Sequence, residues 1–147
     1  KNRIEPFPAG KGESVMQYKF QIQTGKRQQF IDITHKVAEA VKNSGVRDGI
    51  AVIYVPHTTA GVTINENADP DVVTDMLSAL DKAFPVHGEY LHLEGNSHAH
   101  IKASLMGPSC TVIIRDGRLL LGTWQGIYFC EFDGPRNRQF YVKIIEG

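Results

Sequence analysis

The sequence predicts an α+β domain in which antiparallel β-sheets, packed in a sandwich-like way, carry two main helices. Three observations lead there. Segments follow the order strand, helix, strands, helix, and then a run of strands joined by short turns. "MQYKFQIQ" alternates with period two, whereas the apolar residues of 33–41 and 73–84 recur at helical spacing. Asp116-Gly117 lies between two apolar runs, a strong hairpin signal because both residues tolerate positive φ.

Residues 1–15 contain Pro6, Pro8, Gly10 and Gly12 without periodicity, and read as a flexible or appended leader outside a single domain spanning 16–147. In "MQYKFQIQ", Met16, Tyr18, Phe20 and Ile22 alternate with polar residues, as on a strand with one wet face. Asp32 or Thr34 caps a first helix whose inward stripe is Ile33, Val37, Ala38 and Val41, and Gly45 ends it. "GIAVIYVP" is continuously apolar, the pattern of a central strand covered on both faces. "GVTINEN" reads as a short strand. Asp69 and Pro70 then open a second helix carrying Val73, Met76, Leu77, Leu80 and Phe84, which Pro85 terminates. "CTVIIRDGRLLLG", "GIYFCEF" and "RQFYVKII" supply the closing strands.

Sixteen basic residues balance sixteen acidic ones, so no bulk field attracts nucleic acid or a membrane surface, and a charged ligand needs a local site. No apolar run approaches the ~20 residues of a membrane span, which suggests a cytoplasmic protein. Cys110 and Cys130 lie in apolar runs without CxxC spacing and read as buried free thiols.

Polar residues gather in "HTTAG", "NENAD", "HLEGNSHAH" and "GTWQG", each at an element boundary, where a rigid scaffold presents reactive groups. His57, His92 and His100 have the chemistry of three ligands to a zinc-like ion with one open position, although the spacing matches no strong metal motif and exposed loop histidines are the plain alternative. On a helix, His98 and His100 would point ~200° apart. Alternation puts Asn65 and Asn67 on one face, available together to a ligand. Trp124, the only tryptophan, is either a core aromatic or a stacking surface for a heteroaromatic ring. Glu131 interrupts an apolar strand and needs a cation or donors, in a site or a subunit ion pair.

The combination "HTTAGVTINENAD", "HAHIKASLMGPS" and "GRLLLGTWQGIYFCEFDGPR" resembles the YjbQ-like family of secondary thiamine-phosphate synthases, with the likeness running from Met16 to Gly147. The resemblance implies a homotrimer with pockets near subunit contacts. It also implies a cleft shared by His57, Asn67, His92, Asn96, His100, Trp124 and Glu131. One departure is "GNSHAH" where many family sequences read "DNADAH", placing His98 at an acidic position.

The implied reaction joins hydroxymethylpyrimidine diphosphate to thiazole phosphate with release of pyrophosphate. On that reading His57, His92, His100 and Glu131 are catalytic. Asn65, Asn67, Asn96, Lys102, Trp124, Gln125 and Arg136, with Arg118 as a further phosphate partner, hold the phosphorylated heterocycle. A divalent ion, zinc-like from the histidines or magnesium or manganese for the transfer, shares the leaving charge. For Lys102, Arg118 and Arg136 the plain alternative is solvated surface charge. Two other functions stay open: a metal-dependent hydrolase using Glu66 or Glu131 as base, and a non-catalytic trimeric binding protein for a phosphorylated heterocycle.

Overall fold

The computed structural model describes the backbone of residues 5–6 and all of residues 16–147. The chain forms β1 (Glu5–Pro6), β2 (Gln17–Gln23), β3 (Gln29–Asp32), α1 (Thr34–Ser44), β4 (Gly49–Tyr54), β5 (Ala60–Glu66), α2 (Pro70–Ala83), α3 (Ser97–Met106), β6 (Ser109–Arg115), β7 (Arg118–Leu119), β8 (Gln125–Glu131) and β9 (Asn137–Glu146). Within the leader, Glu5 and Pro6 pair with Lys19 and Tyr18 of β2. The rest of it lies outside the described residues.

All strand pairs are antiparallel. One sheet has the order β1-β2-β9-β4-β6-β7, the other β3-β8-β5. The main core lies between the two sheets and α1, where Phe20, Ala51, Ile53, Phe140, Val142 and Ile144 face Val62, Ile127 and Phe129. A second, smaller core of Ala99, Ala103, Tyr128, Cys130 and Phe132 packs α3 and part of α2 on the far side of the three-stranded sheet. Because Ile127 and Phe129 face one core while Tyr128 and Cys130 face the other, β8 is the strand covered on both sides.

That role had been expected of "GIAVIYVP". In β4 only alternate residues are buried: Ala51 and Ile53 point inward, and Val52 and Tyr54 point out from a sheet face that nothing among the described residues covers. The α1 stripe also shifts. Ala40 is buried with Ile33, Val37 and Val41, and Ala38 is exposed, because Ala38 lies ~140° around the helix from Ile33. Gly45 ends α1 as expected, but the N-cap position falls on Ile33, which has no side-chain cap, rather than on Asp32 or Thr34; just before it, Asp32 Oδ1 accepts the N–H and hydroxyl of Thr34 at 2.9 and 2.6 Å. Asp116 and Gly117 take φ of 51° and 76° at the β6–β7 turn.

A third helix, α3, occupies part of the polar stretch and corrects the expectation of two. Its buried positions are His98, Ala99, Lys102 and Ala103. With half of its inward face polar, no apolar stripe exists for periodicity to detect. Cys110 and Cys130 are free thiols, and burial pushes Cys110 up to about 11. No helix among the described residues is long and apolar enough to cross a membrane.

Candidate functional site

The histidines separate. His92 and His100 meet edge to face with ring centroids 5.4 Å apart, in a wide-open depression that also includes Glu89, Tyr90 and Ile101. His57 leaves the end of β4 and seats its Nε2 against the Gln139 backbone of β9, accepting the N–H at 3.0 Å and lying 3.1 Å from the carbonyl. Burial and the Arg138 charge lower its pKa, so it is neutral at pH 7. Among the described residues, no three His, Cys, Asp or Glu side chains form a group able to hold a metal ion. One chain thus offers two imidazoles where the expected zinc site needs three protein ligands, and the donor set does not fit a catalytic zinc centre.

Glu131 is not an open site carboxylate. It is fully buried and accepts from Thr24 Oγ1 (2.7 Å), Arg138 Nε (2.9 Å) and Nη2 (2.5 Å), and the N–H groups of Phe132 and Asp133 (both 3.1 Å). Arg138 also donates to Thr59 Oγ1 at 2.8 Å. Burial alone would raise the Glu131 carboxyl, but these donors outweigh it and hold it below its ordinary value. The ion pair is internal to the chain, and both oxygens are occupied. Of the two expectations for Glu131, a site or a subunit ion pair, the structure supplies neither.

Lys102 overturns the surface alternative, because its side chain is fully buried. Its Nζ donates to Gln28 Oε1 at 2.9 Å and pairs with Asp81 of α2 at 2.5 Å, and Arg27 reaches the other Asp81 oxygen at 3.0 Å. Burial pushes the Asp81 carboxyl up, while hydrogen bonds from Lys102 and Arg27 bring it below the ordinary carboxylate value. Beside this cluster on α3 lies His98, whose pKa is lowered by burial and by the Lys102 and Arg27 charges. His98 Nδ1 and Asn96 Oδ1 are buried with no hydrogen-bond partner among the described residues, so each is open to a water or ligand atom. Asn96 Nδ2 donates to Asp133 Oδ2 at 2.9 Å, and Arg136 pairs with that same carboxylate at 3.0 Å.

Next to the Lys102–Asp81 cluster, a cleft of about 430 Å³ runs between α2 and strands β3 and β8. Phe30 and Tyr128, with ring centroids 5.9 Å apart, form its aromatic floor, and Val73 and Leu77 of α2 its wall. Lys26 and Gln28 line one end. Asp32 and Asn67 line the other. Gln28 Nε2 reaches the Leu77 carbonyl and Asp81 at 3.3 Å each, which ties the cleft to the buried lysine.

Of the residues expected to share one cleft, only Asn67 lines this one. Asn65 turns outward and accepts the Glu66 N–H. Gln125 closes its own loop by accepting from Gly122 N–H at 2.8 Å. Trp124 is neither core nor cleft wall: its side chain is 61% exposed. Arg118 is exposed on the β7 turn. Sequence reasoning missed Asp81 and Arg138, yet both left a signal. Asp81 follows Leu77 by four residues on the apolar stripe of α2, and Arg138 shares the inward parity of Phe140 and Val142.

A model of UPF0047 proteins of the YjbQ-like kind matches residues 18–147. The chain belongs to the YjbQ-like UPF0047 family. Family relatives include a UPF0047 protein of Methanocaldococcus jannaschii, 62% identical over 88% of this chain and 94% of its own length, and YugU of Bacillus subtilis, 56% identical over 85% and 96%. Among solved YjbQ-like structures, an uncharacterized member from Clostridium acetobutylicum superposes with TM-score 0.86 at 64% identity, covering 86% of this chain and 98% of that one. A member of unknown function from Sulfolobus solfataricus superposes equally well, TM-score 0.86, at 31% identity over 89% and 96%. The YjbQ-like fold thus persists while about two thirds of the side chains change.

Proposed function

We propose that this YjbQ-like chain is a thiamine-phosphate synthase-type transferase that binds phosphorylated heterocycles in the cleft beneath α2. The observation that carries this reading is a surplus of positive charge. Arg27 and Lys102 share the single carboxylate of Asp81, whereas Arg136–Asp133 and Arg138–Glu131 are matched one to one. Lys26 adds a further cation at the cleft. With Asp32 at the far end, three cations stand against two carboxylates, and this net positive charge favours a phosphate or a leaving pyrophosphate.

Each group has a task on this reading. Lys26 and Arg27 take the anionic end of the substrate. Lys102, buried out of reach, donates to Gln28 and positions that side chain at the cleft. Phe30 and Tyr128 offer ring faces that stabilise developing positive charge on a pyrimidine. The His92–His100 pair carries no step here. A metal-assisted hydrolase loses support, since His57 is committed to the β9 backbone and Glu131 to Arg138. The same two commitments favour a second reading, a non-catalytic binding protein for a phosphorylated heterocycle.

We also propose that copies of the chain associate as a trimer. In support, the outer sheet face leaves Ile113, Tyr54 and Ile145 exposed, and Leu91 and Leu93 are 98% and 101% exposed.

The test supplies hydroxymethylpyrimidine diphosphate and thiazole phosphate, with and without magnesium, manganese or zinc, and follows thiamine phosphate and pyrophosphate. Product above background, lost in Arg27→Ala and Lys26→Ala, is the expected result. Binding of both substrates without product would establish the binding protein instead.

A further inference from the structure

The end of the α2 cleft away from the cations is built from a carboxylate and a carboxamide. Asn67 Nδ2 donates to Asp32 Oδ2 at 3.2 Å, while Asp32 Oδ1 is taken by the N–H and hydroxyl of Thr34. This orients the amide, because turning it over would set its oxygen against a carboxylate oxygen. Burial nudges the Asp32 carboxyl up, but the bonds from Thr34 and Asn67 outweigh that and keep it ionised. Of the groups this pair leaves over at the cleft, Asn67 Oδ1 and a lone pair of Asp32 Oδ2 are acceptors, and the second Nδ2 hydrogen of Asn67 is a donor.

The amide is also held in place from behind. Asn67 donates its backbone N–H to the Trp124 carbonyl at 2.9 Å, and its side chain lies on Gly126 of β8. A Cβ at Gly126 would come within 2.4 Å of Asn67 Nδ2 and 2.8 Å of its Cβ and Cγ. Only a glycine there lets the carboxamide lie flat on the strand, next to the Tyr128 and Phe30 floor. From this acceptor end to the cationic end the cleft follows α2 from Pro70 to Leu77, a span of about 10 Å at the helical rise. That distance accommodates one ring and a phosphate.

We propose that Asp32 and Asn67 form a clamp that reads N–H donors, and so selects an amino-substituted heteroaromatic ring and seats it on Tyr128 and Phe30 with its anionic group toward Lys26. The clamp rests on the reading that this cleft holds a phosphorylated heterocycle, and it names the groups that choose the ring. An unsubstituted or methylated ring of the same shape would leave two desolvated acceptors unmatched, which is how a polar site rejects an isostere.

The experiment compares 4-aminopyrimidine with 4-methylpyrimidine, each at millimolar concentration, by chemical-shift titration of the whole chain. The expected result is about tenfold tighter binding of the amino compound, with shifts at the Asn67 and Gly126 amides. In Asn67→Ser, and independently in Gly126→Ala, the preference should fall to near onefold. Circular dichroism confirms that each variant is folded. Equal affinity for the two probes, no binding of either, or a preference that survives in Asn67→Ser overturns the clamp. The outcomes stay distinct from those of the transferase assay: thiamine phosphate formed by a protein that does not discriminate the probes removes the clamp alone. Discrimination without product keeps the clamp and removes the transferase.

Discussion

Glu131 and Arg138 show how one residue's role turns on its partners. A carboxylate in an apolar strand looks like a catalytic group until the guanidinium of Arg138, facing inward from β9 of the other sheet, is seen to occupy both its oxygens. Removing one partner leaves the other charged and buried, so Glu131→Leu should cost about 3–5 kcal/mol in chemical denaturation, and the double change with Arg138→Met much less. The pH dependence follows from the same contacts. The folded carboxyl lies below its ordinary value of 4.5, so its contribution is fully present above that value and is lost as pH falls through the depressed folded one. Stability of the wild type should therefore drop more steeply below pH 4.5 than that of Glu131→Gln. Parallel acid limbs would show that the pair is not coupled to folding.

Among the elements, α2 is the least anchored. None of its residues is fully buried, and it holds to the body through a half-buried stripe and the Asp81 contacts with Arg27, Gln28 and Lys102. Its start is secured locally: Asp69 accepts the Asp71 N–H at 2.9 Å, and Pro70 occupies the first turn. Loss of such a cap costs about 1 kcal/mol, and in a helix that opens on its own the loss is felt locally. Asp69→Ala should accelerate amide hydrogen exchange in residues 71–80 about fivefold while the amides of β8 and β9 exchange as before. Uniform acceleration across both would mean that α2 opens only with the whole domain. Because α2 is one wall of the cleft, its looseness bears on ligand entry. By contrast α3, which the pattern of apolar residues could not reveal, is pinned by Ala99 and Ala103 against β5 and β8.

For the whole molecule, the outer face of the six-stranded sheet is the surface on which the proposed trimer is tested. Ile113 is 55% exposed on β6, and Val52, Tyr54, Tyr141 and Lys143 frame a shallow groove on the same face. If copies meet there, Ile113→Lys should shift the mass seen by light scattering from trimer toward monomer and leave the circular dichroism spectrum unchanged. An unaltered mass would place the contact elsewhere, with Leu91 and Leu93 the next candidates.

Local structure was legible in the sequence: the period-two strand over 17–23, the Asp69-Pro70 helix start and the Asp116-Gly117 turn each depend on residues near one another in the chain, and the family was legible because its motifs recur in order along it. The sequence also made His92 and His100 neighbours within one short stretch. Which polar groups meet is settled by folding. Lys102 finds Asp81 and Gln28, Arg138 finds Glu131, and Asn67 finds Asp32 across Gly126, all through contacts between distant elements. Burial of a charge depends on a partner that no local pattern names, and for that reason the expected histidine triad separated while the α2 cleft formed from residues of which only Asn67 had been marked as a ligand contact.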